Sequence, residues 1–185
     1  MKRDSIYGTV YRVGVGALLS VTDAATDLFV TSAYYQSDDV ISQANALLAM
    51  IAANLFVQLV GVAAQYGSSK SWTKVAKEAA ICLLFMRPIV DAYRIGKNEE
   101  DTEHKTNLSP MSFMILNKSI ELATENVPGC ILQLYVWLNN PEEAGSFALI
   151  SIGISASTTG YTSAIISFES DVGLDHRKAQ PKFYG

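Results

Sequence analysis

The sequence predicts an all-α fold: a polytopic bundle of four transmembrane helices with one further partial or re-entrant helix. Three observations predict it. The 185 residues are 49% hydrophobic and only 17% charged, a balance that favours a membrane protein over a soluble domain. The charges cluster between long apolar segments rather than along them. Those segments neither alternate as barrel strands would nor carry the outward stripe of Lys and Glu that a soluble helix presents to water.

The four apolar segments are Val15 to Tyr35, Gln43 to Tyr66, Met111 to Leu138 and Gly145 to Phe168. Each reaches the roughly 20 residues that a helix needs to cross a hydrocarbon core about 30 Å thick. A fifth, Ala76 to Ala92, holds only the uncharged run Ala79 to Met86 before Arg87 and Pro88. It is too short to span. Pro88 lacks a backbone donor and is expected to break the helix, so this piece dips partway into the membrane or lies along it.

Loop charges test that count. Lys2, Arg3 and Arg12 precede or open the first span; Lys70, Lys74 and Lys77, then Arg94, Lys97 and Lys105, occupy the middle connections; Arg177, Lys178 and Lys182 lie in the tail. The connection Tyr35 to Ile41 has Asp38 and Asp39 but no base, and Asn139 to Ala144 has Glu142 and Glu143 but no base. The positive-inside rule puts both termini in the cytoplasm and these acidic loops outside. That order closes only if Ala76 to Ala92 does not cross. Residues 1–170 thus form a transmembrane helical domain and residues 171–185 a cytoplasmic tail, whose Phe183 and Tyr184 could dock on the bundle. The N-terminal apolar stretch is full length and lacks a signal-peptide cleavage pattern, so it reads as a retained helix.

Redox and modification signals are quiet. Cys82 and Cys130 fall in membrane segments, as free buried thiols do. His104 and His176 lie in polar loops, and the sequon at Asn107 is placed on the cytoplasmic side, where glycosylation is not expected. The mixed-charge loop from Gly96 to Pro110 reads as a solvated linker.

The informative residues are the intramembrane charges. Asp23 and Asp27 interrupt the first span, and each central Asp costs roughly 2.5 to 3.5 kcal/mol to insert while a neighbouring Leu, Val or Phe returns about 0.3 to 0.6. That helix inserts poorly alone. The i, i+4 spacing sets both acids on one face, which Gly16, Ser20, Thr31 and Tyr34 extend. Asn54, Gln58, Gly61 and Gln65 form a matching strip on the second span, and Ser151, Ser155, Thr158 and Thr162 on the last. Glu121 and Glu125 repeat the i, i+4 spacing on the third, with Lys118 one turn earlier and expected to pair with Glu121. Ala156, Gly160 and Ala164 recur every fourth residue, a spacing that permits close helix approach. Four acids face one Lys and, beyond it, Arg87. The surplus must be protonated, hydrated or matched by a cationic ligand, and intramembrane charge of this kind marks a functional site.

These residues carry a resemblance. TDAATDLFVTSAYY, from Thr22, resembles the opening helix of the XK-related membrane proteins; LFVQL at Leu55 to Leu59 resembles their next helix. ELATENVPGCILQLY, from Glu121 to Tyr135, is similar to their acidic pair followed by "P...LQLY", and the Ser-rich last helix to their Ser-studded one. The resemblance covers about residues 16–170. It implies a plasma-membrane protein, some of whose relatives scramble phospholipids between leaflets, with Asp23, Asp27, Lys118, Glu121 and Glu125 lining a path for head groups. Relatives hold more membrane helices than this chain, which resembles their first half. It is therefore expected to be a fragment, or a minimal form completed by a second copy.

No nucleotide-binding loop, metal cluster or nucleophile–base arrangement is evident. The expected function is energy-independent phospholipid scrambling, not enzymatic catalysis. Membrane lipids are the expected partners, with no nucleic acid, cofactor or metal. An ion or proton conductor, or a non-transporting scaffold subunit, would also place carboxylates mid-membrane.

Overall fold

A computed structural model describes residues 6–66, 72–97 and 110–172. The described residues are helical apart from short turns. They form α1 (Ile6–Tyr34), a 3-10 turn (Asp38–Val40), α2 (Ile41–Tyr66), α3 (Trp72–Leu83), α4 (Arg87–Lys97), α5 (Pro110–Glu121), a π-helical turn (Leu122–Asn126), α6 (Val127–Asn139) and α7 (Pro141–Val172). The expected linker around Asn107 and His104, and all but the first two residues of the expected tail, with His176, Phe183 and Tyr184, lie outside the described residues.

Three helical stretches are long and apolar enough to cross a membrane: Gly8–Tyr34, Asp38–Tyr66 and Pro141–Glu169. The fourth expected span is helical from Pro110 to Asn139, but the π turn divides it. Lys118, Glu121, Glu125, Asn126 and Gln133 dilute its apolarity. Pro128 explains the interruption, because it offers no N–H to the carbonyl four residues back; Val127 instead donates to Leu122, five residues back.

The partial helix is a helix–turn–helix. Pro88 does not break it, as the sequence led us to expect: it lies in the first turn of α4, where a missing N–H forfeits no intrahelical bond. The break falls at Leu84–Met86, where Phe85 adopts φ 57°, a left-handed conformation that costs roughly 1 to 2 kcal/mol for a residue with a Cβ. Leu83, Leu84 and Met86 are exposed at this apex, as suits an end that dips into lipid. α3 packs on α2, and α4 on α1 and α5.

The distribution of polarity is inverted relative to a water-soluble fold. Among the described residues, twenty polar or charged ones are buried against 16 hydrophobic ones. Leu18 and Phe29 on α1, Phe56 and Val60 on α2, Ile131 and Leu138 on α6, and Leu149 and Ile150 on α7 all face outward. Water would penalise that surface and leave the interior with little apolar burial to stabilise it. Hydrocarbon would not.

Two apolar clusters bracket the polar interior. Val30, Tyr34, Val40, Ala44, Leu47, Val136, Ala144 and Ala148 close the end near the acidic connections. Val62, Tyr66 and Cys82 join α2 to α3 nearer the other. α7 kinks at Gly145, whose φ of 64° suits a residue without a Cβ, so a short helical turn from Pro141 precedes the long segment expected from Gly145. The close approach expected of Ala156, Gly160 and Ala164 is not made among the described residues: all three face outward, because Ser151, Ser155, Thr158 and Thr162 occupy the buried side of α7. Helix α1 comes close at Gly16 instead, where a Cβ would meet Ile165 at 3.3 Å and Tyr161 at 3.4 Å.

Candidate functional site

The i, i+4 spacing on α1 turns Asp23 and Asp27 to the interior, each 2% exposed. The polar faces of α2, α6 and α7 meet them there. Ser155 Oγ donates to Asp23 Oδ1 at 2.5 Å. Asp27 Oδ1 accepts from Gln133 Nε2 at 2.8 Å and from Ser151 Oγ at 3.2 Å. Thr31 Oγ1 donates to the Asp27 carbonyl at 2.7 Å, keeping its hydroxyl within the same buried face. Glu125 accepts from Asn54 Nδ2, and Gln58 Nε2 donates to Asn54 Oδ1 at 3.1 Å. Of the polar strips, Asn54, Ser151 and Ser155 thus donate directly to carboxylates, while Gln58 and Thr158 bond to Asn54 and to the Leu19 carbonyl.

Lys118 and Glu121 form the expected pair, with Nζ 3.0 Å from Oε2. The ammonium also donates to Ser20 of α1. Lys118, Glu121 and Glu125 are each at most 8% exposed, so all five predicted path residues face the interior. They do not form one ion-pair network. The hydrogen-bond partners of Asp23, Asp27 and Glu125 are neutral hydroxyls and amides, and the Lys118 ammonium bonds Glu121 and Ser20.

A cavity opens among these groups, lined by Asp23, Asn54, Glu121, Glu125, Cys82 and Arg87 with their neighbours. It offers about 20 Å³ to the centre of a water-sized sphere, room for a water but not for a lipid head group. Among the described residues no group of three or more His, Cys, Asp and Glu side chains is placed to hold a metal. Cys82 and Cys130 are free thiols.

Arg87 is not a counter-ion for the four acids. It belongs to a second buried cluster that the sequence reading did not assemble. Arg87 Nη1 lies 2.6 Å from Glu78 Oε2, and Nε 3.0 Å from Asp91 Oδ2. Arg94 binds both oxygens of Glu78, Nη1 at 3.0 Å, and donates to the Tyr66 hydroxyl at 3.5 Å. The Arg87 guanidinium stacks 4.7 Å over the Phe113 ring of α5. Burial pushes the Glu78 carboxyl up, but the hydrogen bond and charge of Arg94 and the charge of Arg87 outweigh it and hold the group below the usual glutamate value. The signal for part of this was present: Arg87 and Asp91 stand i, i+4, as helical ion pairs do. Glu78 gave none, because its partners lie beyond a turn. Gln133, within the LQLY stretch, was likewise invisible as the donor to Asp27.

Searches of curated proteins and of solved structures yielded no significant match. A family model, described as XK-related protein, matches residues 12–170. That match includes both acidic pairs, the interrupted helix with its Gln133 donor and the Ser-studded α7; the chain belongs to the XK-related family.

Proposed function

We propose that the protein lies in a membrane and moves phospholipid head groups between leaflets without an energy source, along the seam of Asp23, Asp27, Lys118, Glu121 and Glu125. One observation carries this reading: three buried carboxylates, on two different helices, are held by neutral donors rather than by cations. Such groups keep an unmet preference for positive charge, and desolvation makes that preference strong. The ammonium of a zwitterionic head group fits it, while Lys118 or Arg87 offers a cation for the phosphate. Acyl tails would stay in lipid, against the apolar outer faces. No covalent chemistry is required of any residue.

In this reading the segment Pro110–Asn139 crosses as a fourth span, its Lys118 and Glu125 hydrogen-bonded to Ser20 and Asn54 of the neighbouring helices. Both termini lie in the cytoplasm and the plasma membrane is the site of action. A second copy, or further helices of the same protein, completes the path. The cavity seen here is water-sized, so this conformation is a closed one.

Fluorescent lipid reduction in vesicles reconstituted with the full chain tests it. The pair Asp27→Asn and Glu125→Gln keeps the shapes and removes two charges. Flux is expected to fall tenfold or more. Equal flux in parent and variant sinks the proposal, and ionic current without lipid movement replaces it with ion conduction.

A further inference from the structure

We infer that the α3–α4 hairpin is a clasp closing the flank of the carboxylate cavity between α1 and α2, fastened by Glu78 to Arg87 and Arg94 and hinged at Leu84–Met86. The inference adds a means of regulation to the head-group reading, and it stands on the hairpin's own geometry rather than on what crosses the seam.

The two arms of the hairpin belong to different sides of the bundle. Helix α3 packs on α2, where Cys82 joins Val62 and Tyr66. Helix α4 packs on α1 and α5; Gly96 comes close enough to Val10 that a Cβ would stand 3.4 Å from it. The cavity lies between these two sides. Its walls are Ser20 and Asp23 of α1, Asn54 and Gln58 of α2, and Glu121 and Glu125 of the interrupted helix. Cys82, Phe85, Arg87 and Pro88, all from the hairpin, close the remaining flank.

What links the arms is ionic. Glu78 is on α3, and both its guanidinium partners are on α4. Arg94 reaches past it to Tyr66 of α2, so α4 is tied to the α2–α3 side by Arg87 and Arg94. Between the arms, Phe85 holds a positive φ and Met86 N–H donates to the Ile81 carbonyl at 3.0 Å, a capped helix end that leaves this turn as the non-helical joint between the two arms. An ion-pair fastening of this kind is strong while dry and weakens sharply once water enters, because the attraction scales inversely with the local dielectric. That makes it a two-state element: closed and dry, or open and wet. Opening would bring the cavity, with Asp23 and Glu125, into contact with water and lipid along the α1–α2 flank.

Cys82 is a native reporter. It is 1% exposed and lines the cavity from the hairpin side. The experiment uses the full chain with Cys130→Ser in phosphatidylcholine nanodiscs, and measures alkylation of Cys82 by a small water-soluble maleimide. Arg94→Gln is the variant of choice, since Arg94 is 23% exposed at its side chain and its loss leaves Glu78 with Arg87. Removing that positive charge would, by electrostatics alone, disfavour the reactive thiolate and slow labelling. The expected result is the opposite, a rise of about tenfold, with Glu78→Gln raising it further. In a Cys82→Ser background, Cys130 labelling is expected to stay within twofold of the parent. Unchanged or slower Cys82 labelling in Arg94→Gln overturns the clasp. So does a matched rise at both cysteines, which reports general loosening. Lipid flux is read separately, so a protein that opens but does not flip lipid refutes the proposed function and leaves the clasp standing.

Discussion

Two buried charged regions lie within one small bundle and are built by opposite rules. Under the α3–α4 hairpin, two carboxylates face two guanidiniums: Glu78 and Asp91 with Arg87 and Arg94. In the seam between α1, α2, α6 and α7, Asp23, Asp27 and Glu125 are held by Ser155, Gln133, Ser151 and Asn54. The first region is self-neutralising. The second gives Asp23, Asp27 and Glu125 neutral donors and no bonded cation. That difference is why the proposed head-group path is assigned to the second region and the proposed clasp to the first.

The comparison can be broken at its strongest point first. Arg87→Met leaves Glu78 and Asp91 facing one partly buried Arg94, and removing one partner of a buried ion pair costs about 3–5 kcal/mol. Thermal unfolding in detergent is expected to show the largest loss of any single substitution discussed here. A change below about 1 kcal/mol would mean the cluster is hydrated, not dry. In the seam the expected cost is smaller. Ser155→Ala removes the hydroxyl at 2.5 Å from Asp23, and a hydrogen bond to a charged group contributes about 1.5–3 kcal/mol.

Acid sharpens the contrast. Glu78 sits below its ordinary pKa in the folded protein. Its contribution to stability is therefore fully present above the usual glutamate value and is lost as pH falls through the lower folded one. Thermal stability of the parent is expected to drop below about pH 4, and Glu78→Gln to flatten that part of the profile. The smallest effect belongs to the rim. Arg12 and Glu169 pair at 3.3 Å with side chains 25% and 14% exposed, and Glu169→Gln is expected to cost under about 1 kcal/mol. A larger loss would mean the α1–α7 contact near Phe168, which stacks 4.3 Å from the Arg12 guanidinium, depends on charge more than on packing.

Much of the seam was legible before any fold was known. The i, i+4 spacing of Asp23 and Asp27, and of Glu121 and Glu125, is a property of the helix itself, so facing was readable once helix was assigned. The apolar surroundings made exposure to lipid prohibitive, which left only the interior. The partner of the outward stripe Ala156, Gly160 and Ala164 was not legible, because a small-residue spacing states that a helix can be approached closely, not by what. Pro88 was misread for a related reason: proline breaks a helix interior but suits a first turn, and which one it occupies depends on where the chain has already bent.

By itself the sequence determined the helical class, the apolar lengths, the side of each helix that must turn inward and the family. These follow from period and from the cost of charge in hydrocarbon, which are local quantities. Only the tertiary structure decided who meets whom: that Gln133 and Ser151 donate to Asp27, that Glu78 reaches across a turn to Arg87 and Arg94, and that the fourth apolar stretch is divided at a π turn. Partners separated by tens of residues are chosen by how whole helices pack, and packing depends on the shapes of all of them at once.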